Sequence, residues 1–224
     1  ICISIVVVIQ SLLFADGGLS ALGINVLNMA IITSLVGWLT ISSWKKLFGE
    51  ANISIISGSI VAGILSVVFS SIAFVFEYAL GGTVSVPLGS VLIAMVSSHL
   101  LIGLGEGVIT ALIVSLLLRV RSDLIYIKTN NDKKNSKSSF YGLFIFLLLC
   151  LTLITPYASS SPDGLESVAG DFGFSESSGI VLLLDDYGIS GLNNDFLSTA
   201  LSAVLGVVVV IGVSNIVLKY RKKV

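Results

Sequence analysis

The chain has 224 residues, 55% hydrophobic and 11% charged, with a net charge of −1 and a mean hydropathy of +1.05. A soluble domain carries about a quarter charged residues, so composition excludes one and implies an integral membrane protein. The few basic residues lack the aromatic or glycine patterning of a nucleic-acid binder, and no nucleic-acid partner is expected. Cys2 and Cys150 sit in apolar runs without metal-ligand or redox spacing, which reads as small buried hydrophobes.

Six apolar segments follow one another: 1–14, 24–43, 53–80, 88–118, 140–157 and 197–218. Lipid admits only helices and closed barrels, and unbroken apolar runs of this length are helices. The expected fold class is therefore an all-α polytopic membrane protein. It has about six transmembrane helices, four in a first bundle and two in a C-terminal module. The first run, ICISIVVVIQSLLF, would make a helix of roughly 21 Å against a hydrocarbon core of ~30 Å. It opens on Ile1 and has no basic leader. The expectation is a helix cut in its middle, in a chain whose N-terminal residues are missing. The segment 88–118 is too long for one straight span, which predicts a tilt, a bend near its glycines or an extension past the bilayer.

Charge in the connections alternates. Lys45 and Lys46 lie in 43–52; Arg119, Arg121, Lys128, Lys133, Lys134 and Lys137 lie in 119–139; and Lys219, Arg221, Lys222 and Lys223 form the tail. The connections 15–23, 81–87 and 158–196 hold no Lys or Arg. The positive-inside rule places the cationic connections and the C-terminus in the cytoplasm and 158–196 outside. That outer loop is acidic, with Asp163, Glu166, Asp171, Glu176, Asp185, Asp186 and Asp195. The stretch TNNDKKNSKSS, 129–139, reads as a cytoplasmic linker. It divides a membrane domain, 1–128, from a two-helix module, 140–224.

Polar groups inside apolar segments are the candidate functional residues, because an ionisable group at the bilayer centre costs about 2.5–3.5 kcal/mol on insertion scales. The stretch SSHLLIGLGEGVITAL, 97–112, holds the single histidine, His99, and Glu106. His99, Gly103, Glu106, Gly107 and Thr110 recur at spacings of three and four and form one helix stripe. Gly103 and Gly107 make a small-xxx-small pair that lets another helix approach, so the stripe is expected to face protein. His99 and Glu106 then either fix helix packing or support a cation site. One histidine cannot by itself make a selective transition-metal site. Asn25 and Asn28 follow the turn ADGGLSALG and read as capping or turn residues, with ligation the alternative. Asp16 reads as a turn-former, and Gln10 and Glu77 as single buried polar groups. No P-loop, paired-histidine helix or nucleophile elbow is present. No enzyme activity and no bound cofactor are expected.

Four stretches carry a resemblance. QSLLFADGGLSALGINVLNMA, 10–30, and HLLIGLGEGVITALIVSLL, 99–117, are similar to the mid-chain signature and the closing helix of the cobalt/nickel substrate-capture components of energy-coupling-factor transporters, the CbiM/NikM family. SSSPDGLESVAGDFGF, 159–174, and LLLDDYGISGL, 182–192, resemble the PDGLE-type (CbiN/NikN-like) module that accompanies them. The resemblance implies a plasma-membrane, multi-pass capture component for Ni2+ or Co2+ as transported substrate. It also implies a transmembrane coupling subunit and cytoplasmic ATPase subunits as partners. The family's primary ligands are an N-terminal Met-His pair and a histidine in a later loop; those positions are absent here. The implied metal residues of this chain are then supporting ones: His99, Glu106 and Asn25. The alternatives are an assembly subunit without a metal site of its own, or an ion-coupled carrier using Glu77 and Glu106.

Overall fold

A computed structural model describes residues 1–14, 16–82, 86–125, 137–157, 164–172, 184, 187–189 and 191–221. Among the described residues the chain is helical, with no strand. Seven helices run in order among these residues: α1 Cys2–Leu13, α2 Leu22–Phe48, α3 Asn52–Gly81, α4 Leu88–Val120, α5 Lys137–Ile154, α6 Gly164–Asp171 and α7 Asp195–Arg221. Single 3₁₀ turns lie at Ser122–Leu124 and Thr155–Tyr157.

Each of the six apolar segments is therefore a helix, and the protein is an all-α polytopic membrane protein. Leu22–Phe48, Asn52–Gly81, Leu88–Val120 and Asp195–Val217 are long and apolar enough to cross a membrane. Cys2–Leu13 and Tyr141–Tyr157 are apolar but shorter. The segment with the histidine forms one continuous helix of 33 residues, about 50 Å at ~1.5 Å per residue. It exceeds the hydrocarbon core, so one end stands beyond it or the helix tilts. Helix α5 starts at Lys137, inside the stretch read as linker; 129–136 lie outside the described residues. Within α2, Val26–Ile32 is a π-helical stretch, a rare wide turn that frequently marks functional positions.

The chain divides into two compact units. One comprises 1–30, 144–161 and 176–224, the other 31–143 and 162–175. In the second unit the three long helices run antiparallel in sequence. Trp44 Nε1 donates to Ser57 Oγ (3.1 Å), and Ser66 Oγ donates to the Thr33 carbonyl (3.1 Å), which staples α2 to α3 along its length. Helix α6 closes the far end: Val168 is buried with Val75, Val91 and Met95, and Phe74, Tyr78 and Phe172 pack around them. At the near end, Lys45 and Glu50 pair at 2.8 Å across the α2–α3 turn.

In the first unit, α1 packs on α7. Ser198, Ser202 and Gly206 recur every four residues on α7. Both serines are buried, and Gly206 meets the Phe14 ring, whose Cζ would lie 3.2 Å from a Cβ placed there. Tyr157 and Phe196 meet edge to face, with centroids 6.0 Å apart. The cysteines depart from the buried reading: Cys2 is exposed and Cys150 half-buried, as suits apolar side chains on helices whose solvent is lipid.

Candidate functional site

On α4, the buried residues are Val91, Met95, Gly103, Gly107, Ala111 and Leu118, with His99 half-buried among them. All but Leu118 lie on one i, i+4 row. Gly103 and Gly107 face the backbone of α3 directly. A Cβ on Gly107 would stand 2.8 Å from the Ile60 carbonyl oxygen, and one on Gly63 would stand 2.8 Å from Gly107 Cα. The backbones touch, so only hydrogen fits at these positions.

The wider stripe read from the sequence does not turn inward as a unit. Glu106 and Thr110 are exposed on α4, beside Leu104 and Ile109. Each lies three residues from a buried glycine, about 60° round the helix. The helix uses its four-residue row for contact, which leaves the three-residue neighbours on the flank. Hydrophobic periodicity alone does not choose between the two rows.

His99 is committed locally. Its Nδ1 lies 2.8 Å from the Met95 carbonyl oxygen and 3.1 Å from Ser98 Oγ. A carbonyl can only accept, so Nδ1 carries a hydrogen and donates it to Met95, which leaves Nε2 as the free edge of the ring. The ring edge faces α6: a Cβ on Gly164 would lie 3.2 Å from His99 Cε1 and 2.7 Å from Ile102 Cδ1. The glycine of the PDGLE stretch thus sits where a larger residue would strike the imidazole.

The two intramembrane carboxylates do not come together. Val67 faces Gly103 across the antiparallel pair α3–α4. Glu77 lies ten residues further along α3 and Glu106 three residues the other way along α4, which separates them by about 20 Å along the axes. Among the described residues there is no group of three or more His, Cys, Asp or Glu side chains that could hold a metal ion.

A different polar cluster sits where α1 ends. Asn25 Nδ2 donates to the Gly17 carbonyl (3.0 Å) and closes the turn 17–25. Gly17 has φ +73°, and a Cβ there would stand 2.6 Å from the Asn25 amide. Asn25 is thus a turn-closing residue; the cap position of α2 belongs to Ala21. Ser11 Oγ donates to the Asp16 carbonyl (3.3 Å). The Asp16 carboxylate accepts from Tyr187 Oη (2.6 Å) and Gln10 Nε2 (3.2 Å), and the same Gln10 nitrogen donates to Tyr187 Oη (3.2 Å). The Tyr187 ring stacks on Phe14 with centroids 4.6 Å apart. Tyr187 has φ +57°, the one non-glycine residue with positive φ among the described residues. That region costs an L-residue roughly 1–2 kcal/mol. Sequence reading missed this cluster because Tyr187 lies 171 residues from Asp16. The available signal was the pair DYG and ADGG, an aromatic and an acid each beside glycine.

Residues 1–124 match the family model CbiM, cobalt uptake substrate-specific transmembrane region, and the chain belongs to that family. A protein of Archaeoglobus fulgidus provisionally named as a fused nickel transport protein, NikMN, is 29% identical over 99% of this chain and 72% of its own length. One of Lactiplantibacillus plantarum, provisionally named as a fused nickel transport protein, LarMN, is 28% identical over 92% of this chain and 68% of its own. The cobalt transport protein CbiM of Geobacter sulfurreducens is 31% identical over 54% of this chain and 35% of its own. Similarity to the fused proteins therefore extends past residue 124 into the C-terminal helices. No solved structure matches the chain.

Proposed function

We propose that the chain is the substrate-specific membrane component of an importer of nickel or cobalt ions. The carrying observation is the match of residues 1–124 to the cobalt-uptake family, extended over nearly the whole chain by relatives named for nickel transport. On this reading 1–128 is the capture domain, 129–139 a cytoplasmic linker, and 140–224 an auxiliary module. The positive-inside pattern supports a plasma-membrane orientation with 158–196 outside and the C-terminus in the cytoplasm. ATP hydrolysis belongs to separate cytoplasmic subunits of the energy-coupling-factor type, acting through a transmembrane coupling subunit.

In this role His99 is a supporting residue. Its Nδ1 bond to a carbonyl is the arrangement that fixes an imidazole's tautomer and orientation. Asn25 supports by shaping the turn before α2. The exposure of Glu106 on the flank of α4 supports a supporting role for it through a neighbouring subunit. The 20 Å separation of Glu77 from Glu106 weighs against a carrier that relays an ion between them.

The test is uptake of radioactive nickel and cobalt by cells lacking their own importers. The full-length gene product is expressed with and without a coupling subunit and ATPases. Accumulation of either metal that depends on the ATPases is the expected result. Uptake that persists without them supports a secondary carrier, and no uptake with either set, at normal protein level, sinks the proposal.

A further inference from the structure

The capture reading leaves Tyr187 without a task, yet the chain holds this residue in an unfavourable backbone conformation. Gly188 follows it directly and could take a left-handed conformation freely, but the tyrosine takes it instead. Three contacts converge there. The Tyr187 amide donates to the Leu184 carbonyl (3.2 Å). The Ile189 amide donates to Ser198 Oγ on α7 (2.6 Å), which anchors the loop from the other side. The ring lies on Phe14, itself seated against Gly206 of α7. Held this way, the phenol reaches the Asp16 carboxylate at 2.6 Å, the length of a strong, charge-assisted hydrogen bond.

We propose that Tyr187 is a positioning residue that clasps the turn 16–25 to the end of α1 by way of Asp16. The inference rests on the capture reading for its functional consequence and on geometry alone for the clasp. The turn is built from backbone that glycines leave free: Gly17 and Gly18 both have positive φ. Asn25 pins one side of it, and Asp16 pins the other through Gln10 and Tyr187. Gln10 is local to α1. The phenol comes from the segment assigned to the auxiliary module, so that module sets the shape of a turn in the capture domain. The turn leads directly into α2 and its wide π-helical stretch, where Asn28 is buried.

The experiment uses the full chain in detergent with Cys2→Ser and Cys150→Ala, and Ser20→Cys as a reporter in the exposed part of the turn. The rate of labelling by a polar maleimide reports how closed the turn is. Tyr187→Phe, which keeps the stacked ring and loses the hydroxyl, is expected to label about threefold faster or more, and Asp16→Ala the same. Asp16→Asn keeps an acceptor oxygen for the phenol and is expected to stay within about twofold of the parent. The double change Tyr187→Phe with Asp16→Ala should add little to either single change, because both remove the same phenol–carboxylate bond and each loses only one weaker Gln10 bond besides. In the uptake assay, Tyr187→Phe should raise the half-saturating metal concentration about fivefold and leave the maximal rate within about twofold.

Labelling of Tyr187→Phe at the parental rate overturns the clasp. Faster labelling with unchanged half-saturation overturns the positioning role. If the unmodified protein, with its partners, imports neither metal, the capture reading falls, and the labelling rates alone decide the clasp.

Discussion

The two units join helices in opposite ways. Between α3 and α4, glycine meets backbone: Gly63, Gly103 and Gly107 remove side chains so that main chains touch. Between α1 and α7, one large ring fills the seam. Phe14 lies between Gly206 and Tyr187, with a polar clasp at the end and the buried Ser202 and Ser198 one and two turns before Gly206 on α7. Apolar burial gives little drive between helices already dissolved in lipid, so both solutions rely on close contact and hydrogen bonds. The glycine seam has no slack, since its atoms are backbone. The aromatic seam is built from side chains that can shift. The first should therefore be the more brittle of the two.

The largest effect expected from that contrast is at Gly107. Gly107→Leu places a side chain where the Ile60 carbonyl already stands, and backbone cannot step aside. Loss of folded protein is expected, equivalent to more than about 3 kcal/mol. Size-exclusion and thermal melting in detergent read it, with Leu104→Ala on the exposed face as a control near neutral. A Gly107→Leu protein as stable as that control would show that α3 and α4 do not cross as closely as described.

Next comes Phe14→Ala, which empties the aromatic seam. A buried Phe replaced by Ala typically costs about 3–5 kcal/mol, and the lower end is expected here because neighbouring side chains can relax. The sharper measurement is the pair. In the parent, Gly206→Val should be poorly tolerated, since its Cβ approaches the Phe14 ring. In the Phe14→Ala background the vacated space should accept it, so the two changes should be strongly non-additive. Simple additivity would mean that Phe14 and Gly206 do not share the contact.

Much of the glycine seam was legible in the sequence, and almost none of the aromatic one. Gly103 and Gly107 announce themselves because small residues four apart within an apolar run have one common physical use. What the pattern could not supply was which flank came with them, so Glu106 and Thr110 were drawn inward with the glycines and lie outside. The contact of His99 with Gly164 and that of Asp16 with Tyr187 join residues far apart in the chain, and local periodicity carries no record of such pairs. Asn25 shows the same limit at short range. Its type predicted turn chemistry correctly, but its partner, Gly17, lies eight residues back and not at the helix start. The six helices were legible because lipid leaves apolar chains few conformations to choose from. The π-helical stretch in α2 left no compositional mark.

The smallest effect is expected at Ser202, and its sign is the informative part. The residue is fully buried on α7, one turn before Gly206, and its Oγ has no hydrogen-bond partner among the described residues. Ser59 is the comparison in the other unit: also buried, it donates to the Ile55 carbonyl at 2.8 Å. A buried hydroxyl left unpaired costs about 1–3 kcal/mol relative to a paired one. Ser202→Ala removes that cost and keeps the side chain small enough for the seam, so it should be neutral or stabilising by up to about 1 kcal/mol. Ser59→Ala loses a bond and should be slightly destabilising. If Ser202→Ala instead lowers the melting temperature more than Ser59→Ala, the hydroxyl has a partner in the folded protein. The seam between α1 and α7 would then be held by polar contacts along its length and not by the Phe14 ring alone.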